Sequence, residues 1–69
     1  MTLAAALEHV RAALRGALAS RPKLSRRAFV RWARAEARAQ TGARRLSPEA
    51  CRQIDHLVTT AIEEAARTT

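Results

Sequence analysis

The chain has a single cysteine, Cys51, so no intrachain disulfide can form, and a reducing, cytoplasmic setting fits that usage. It has only two glycines, Gly16 and Gly42, standing alone, which excludes a glycine-rich phosphate loop. No apolar run approaches the ~20 residues of a membrane span. The first residues do not read as a signal peptide, because Glu8, His9 and Arg11 interrupt a periodic apolar pattern. Lysine is nearly absent: Lys23 is the only one among 13 basic residues, and the rest are arginine. Large apolar side chains are also few, and alanine supplies much of the remaining apolar content. Alanine favours helix but buries little surface, so a core built from 69 residues of this composition is small. That shortage leads us to expect a homodimer or a hetero-complex.

What is present in excess is positive charge, at +7 net. It is concentrated in one block. Residues 21–45 carry nine basic side chains against Glu36 alone. Residues 1–20 carry Arg11 and Arg15 against Glu8. Residues 46–69 carry Arg52 and Arg67 against four acids, Glu49, Asp55, Glu63 and Glu64. Within the central block stand Arg26, Arg27, Arg31, Arg34, Arg38, Arg44 and Arg45. Arg27, Arg31, Arg34 and Arg38 follow one another at helical spacing, which at ~100° per residue forms a single stripe. Glu36 points away from that stripe, and no acid stands four residues from any member to relieve the repulsion. A basic helical stripe points to nucleic acid or to another acidic partner. Arginine adds bidentate contact to phosphate that lysine cannot make.

The fold class is all-α: a small three-helix domain, residues 1–69, expected as a helical homodimer. The first helix is predicted at about 3–19 with Thr2 as N-cap, and Ser20, Arg21, Pro22 and Lys23 break it. Its large apolar residues, Leu3, Leu7, Val10, Leu14 and Leu18, form a narrow seam of the kind used in a coiled coil or helical hairpin. Gly16 lies off the seam and costs about 1 kcal/mol of helix stability. The second helix is predicted at about 26–40, capped by Ser25 and stopped by Gly42. In it Phe29, Ala33 and Glu36 lie opposite the arginines, and Trp32 sits to one side with Ala28, Ala35 and Ala39. The third is predicted at about 48–66, with Ser47 as N-cap, Pro48 in the first helical position and Glu49 facing the positive helix end. Ala50, Ile54, Leu57, Val58, Ala61, Ile62 and Ala65 form its apolar face. No repeat, low-complexity segment or strand candidate appears.

No catalytic constellation is evident. Cys51 and His56 are five apart and point to different sides of a helix, and with His9 they fall short of a metal-ligand set. Glu63 and Glu64 are adjacent on a terminal helix with no cleft to shield them. We therefore expect no enzyme activity, no metal and no cofactor.

The stretch from Phe29 to Ala66 resembles the first helix, first loop and central helix of the histone fold. The parallel segments run from Ala28 to Arg34 and from Arg44 through Leu46 and Ser47 to Ala50. The resemblance implies that Arg44, Arg45 and Ser47 contact DNA phosphates and that the third helix is a dimer helix; the family's third helix has no counterpart here. The same region also resembles a helix-turn-helix, with Gly42 as turn glycine and the third helix as reader. The stretch from Gly42 to Pro48 is longer than the usual turn of about three to four residues, and the third helix is net acidic.

The expected function is phosphate-mediated nucleic-acid binding, DNA more than RNA, through Arg26, Arg27, Arg31, Arg34, Arg38, Arg44 and Arg45. A regulatory or accessory protein of a bacterium, plasmid or phage, in the cytoplasm or nucleoid, fits this size and composition. The rival expectation is a helical adaptor or inhibitor that meets an acidic protein surface, with Leu3, Leu7, Val10, Leu14, Leu18 and Trp32 at the interface.

Overall fold

A computed structural model describes residues 2–20 and 23–68, except for the side chain of Thr68. It contains three helices: α1 (Leu3–Ser20), α2 (Arg26–Thr41) and α3 (Pro48–Thr68). No strand occurs among the described residues. The expected break at Arg21 and Pro22 lies outside them.

Local chemistry sets the helix ends. Thr2 Oγ1 accepts from the Ala5 N–H at 3.2 Å, Ser25 Oγ from Ala28 at 3.1 Å and Ser47 Oγ from Ala50 at 3.1 Å. Each bond satisfies one of the orphan donors of a first turn and is worth about 1 kcal/mol. Gly42 ends α2 at φ 73°, and its N–H donates to the Arg38 carbonyl at 2.9 Å. That bond is the single closing contact of a left-handed helix cap.

Each helix packs against both others, in a body of 35 × 18 × 15 Å. Arg34 meets Asp55, and Arg26, earlier in α2, meets Thr59, later in α3. Numbers falling on one helix while they rise on the other make the pair antiparallel. The core is Val10 and Leu14 from α1, Phe29, Val30, Ala33 and Ala37 from α2, and Ile54 and Val58 from α3. No polar side chain is buried among the described residues.

The seam expected on α1 is used inside the chain. Val10 and Leu14 are fully buried, so they offer nothing to a partner, and Leu3, Leu7 and Leu18 are half-buried at the edges. The face is also wider than the leucines suggest. Ala6 is fully buried, and Ala13 and Ala17 are half-buried, because α1 must cover two neighbours rather than one. Trp32 likewise packs partly buried against the core. Leu24 is the one large apolar side chain exposed among the described residues. No helix is long and apolar enough to cross a membrane among those residues.

Candidate nucleic-acid interface

The geometry of α2 follows from which side it must bury. Phe29, Val30, Ala33 and Ala37 face the core, which turns Arg27, Arg31 and Arg38 to solvent along one flank. From Arg27 to Arg38 the rise is about 16 Å at ~1.5 Å per residue. Beyond Gly42 the chain continues through Arg44 and Arg45, both exposed, and Leu46 then packs against the core. Anchoring at Gly42 and Leu46 holds the two loop arginines at the surface, just past the end of the helical row.

The seven arginines are not equivalent. Arg34 sits on the α3 side of the stripe and donates to Asp55 through Nε at 3.2 Å and through Nη2 at 2.9 and 2.7 Å. This is a bidentate pair, the stronger form of arginine–carboxylate contact. The Asp55 carboxylate accepts these bonds and raises the Arg34 pKa above its ordinary value; partial burial opposes the shift without cancelling it. Arg26 donates from Nε to Thr59 Oγ1 at 2.9 Å. No acid stands four residues from the stripe, as expected, yet Arg34 finds its partner on the next helix, outside the reach of an i,i+4 rule. Arg27, Arg31, Arg38, Arg44 and Arg45 have no ion pair among the described residues.

The acids elsewhere are drawn into other contacts. Glu36 faces α1, where Oε2 lies 3.7 Å from His9 Nε2. Glu49 accepts from Arg52 at 2.6 Å and from Gln53 at 3.3 Å, and these two bonds, Arg52's first, hold its pKa below the ordinary glutamate value. Glu8 lies 3.9 Å from Arg11. Ser47, the phosphate contact implied by the histone-fold resemblance, accepts the Ala50 N–H through its hydroxyl oxygen as the cap of α3, which leaves its O–H able to donate. Trp32 does not join the arginine flank; it lies on the α1 side of α2.

A shallow groove of about 340 Å³ runs between α1 and α3, lined by Leu7, Arg11, His56, Leu57 and Glu64 among others. Its charges are mixed, and its residues lie apart from the arginine flank. Cys51 is half-buried while His56 is exposed on that groove. No group of three or more potential metal ligands comes together among the described residues.

No family model, curated protein or solved structure matches this chain.

Asp55 and Thr59 are the residues that sequence reasoning missed. The signal that finds Asp55 is register: in an antiparallel hairpin, residues equidistant from the loop face one another, which places Asp55 across from Arg34. Thr59 falls opposite Val30 by that rule, and Arg26 reaches it from one turn further along α2.

Proposed function

We propose that this chain binds nucleic acid, duplex DNA in preference to RNA, through the phosphate backbone. Arg27, Arg31 and Arg38 on α2 and Arg44 and Arg45 in the following loop make the contacts. Arg26 and Arg34 support them from the α2–α3 seam. The observation that carries the reading is the exposed row of five arginines with no acidic partner among the described residues. A solvated face kept only for solubility gains nothing from like charges in one row, because neighbours at helical spacing repel. A phosphate backbone turns that repulsion into attraction and releases counterions as it docks. Arg44 and Arg45 are also the loop contacts that the histone-fold resemblance implies. α3 is a poor reader of bases, since its exposed charges include Glu49, Glu63 and Glu64. The role is regulatory or accessory, with no chemistry of its own.

The test is a fluorescence-anisotropy titration of a short labelled duplex across a salt series, beside Arg27→Ala/Arg31→Ala/Arg38→Ala. Binding should fall steeply with salt, and the triple variant should flatten the logarithmic slope by about 2.7, from ~0.9 per phosphate contact. No binding at low salt would overturn the proposal and turn attention to an acidic protein partner.

A further inference from the structure

The side chains bordering the arginine row narrow the ligand further, on the premise that the nucleic-acid reading holds. We infer that the row takes a duplex by its phosphates, discriminates against single strands and reads no base sequence.

The first observation is where the rings are. Sequence-tolerant binding of single strands relies on aromatic side chains on which bases stack, beside a basic groove. This chain has no tyrosine, one phenylalanine and one tryptophan. Phe29 is 2% exposed in the core. Trp32 is half-buried and packed against that core, about 100° around α2 from Arg31 at helical spacing. His9 is engaged with Gln40 and Glu36 on the α1 side, and His56 lines the α1–α3 groove. No ring borders the row.

The second observation is the lack of base-edge readers. Asparagine and glutamine read adenine, and acids accept from cytosine. The chain has no asparagine. Gln40 is held against His9 at 3.2 Å and Gln53 against Glu49 at 3.3 Å, both away from the row. Asp55, the acid nearest the row, is taken up by Arg34. Thr41, at the end of α2, donates to the Ala37 carbonyl at 2.8 Å. Ser25 and Ser47 cap α2 and α3. Arginine remains as the reader on the row itself, and its commonest base-edge partner is guanine, so a GC against AT comparison isolates that channel.

The third observation is spacing. The helix sets the Cα positions of Arg27, Arg31 and Arg38 along ~16 Å of one straight flank. A duplex presents one phosphate charge per ~1.7 Å of a stiff rod, whereas a single strand has lower charge density and must be ordered to follow the row. A straight row of cations therefore favours the duplex.

The experiment uses the full chain with three probes of equal length: a GC-only duplex, an AT-only duplex and a mixed-sequence single strand. Affinity is read by anisotropy at several salt concentrations, and base stacking on a ring is read separately by the emission of Trp32, the only tryptophan. The expected result is duplex binding about tenfold or more tighter than single-strand binding, with a salt slope between about −2.7 and −4.5 for three to five contacts. The two duplexes should agree within about threefold, and Trp32 emission should be unchanged at saturation with any probe. Single-strand binding as tight as duplex binding, quenching of Trp32, or a duplex-sequence preference above about tenfold would overturn the inference and leave the nucleic-acid reading intact. Absence of binding to all three probes at low salt would overturn both.

Discussion

Replacing Asp55 with asparagine should move stability and nucleic-acid affinity in opposite directions. Asp55 accepts three hydrogen bonds from Arg34, the shortest at 2.7 Å, across the α2–α3 seam. Breaking a fully buried pair of this kind costs about 3–5 kcal/mol. Here the side chains retain 41% and 33% exposure, so solvent screens the pair and the loss falls to about 1 kcal/mol. Asparagine is the right replacement, since it removes the charge with little change in shape or helix propensity. For a domain of this size the loss lowers the melting temperature by about 4–8 °C, readable by far-ultraviolet circular dichroism.

The binding effect has the other sign. Arg34 is released beside Arg31 and Arg38, and a negative charge leaves the row. One added phosphate contact steepens the logarithmic salt slope by about 0.9, which at 0.1 M salt is a gain of up to roughly tenfold in affinity. Anisotropy well below the melting midpoint separates the two effects. An affinity that falls together with stability, or an unchanged salt slope, would refute the reasoning and show that Arg34 binds phosphate while paired with Asp55, or that α2 is not the binding surface.

Three further predictions concern the fold. Leu14→Ala empties a fully buried site and should cost about 2–5 kcal/mol, a large part of the stability of so small a domain; loss of helical signal at 25 °C or a sharply lowered urea midpoint checks it. The two glycines should respond with opposite signs, although an added Cβ meets nothing within 4 Å at either. Gly16→Ala, inside α1, should stabilise by about 0.5–1 kcal/mol, while Gly42→Ala, at φ 73°, should destabilise by about 1–2 kcal/mol; equal signs in thermal melts would contradict the geometry. Glu49 is held below its ordinary pKa by Arg52 and Gln53, so its contribution is fully present above the unfolded-state value and is lost as pH falls through the folded one. Glu49→Gln should therefore flatten the acid limb of the stability profile and leave α3 otherwise intact.

The helices were legible because their signals are short. Thr2, Ser25 and Ser47 each cap within three residues, and Gly42 closes on Arg38 four residues back. The observed ends lie within two residues of those expected from caps and periodicity. The faces were legible in part. The apolar set of α3 goes to the core as its spacing implies. On α2 Phe29 and Ala33 do so, joined by Val30 and Ala37, while Ala35 and Ala39 stay exposed; α1 buries Ala6 and leaves Leu3 half-exposed. Periodicity finds the direction of a buried face, but its width depends on how many neighbours the helix meets. The expectation of a homodimer rests on the shortage of large apolar side chains; two neighbours within the chain cover the middle of the α1 seam and leave less of it for a second copy.

The candidate interface shows the same boundary between local and distant information. The seven arginines from Arg26 to Arg45 count equally in the sequence, yet Arg34 is separated from Asp55 by 21 residues and Arg26 from Thr59 by 33. No window on the helix alone contains those partners. The difference is measurable. Seven equivalent cations would give a salt slope near −6.3 for duplex DNA, whereas five give at most about −4.5. A slope near the larger value would mean that phosphate draws Arg26 and Arg34 out of the α2–α3 seam, so that binding and helix packing compete. A slope at or below the smaller one means that the fold keeps Arg34 on Asp55 and Arg26 on Thr59, so that α3 limits affinity without touching the ligand.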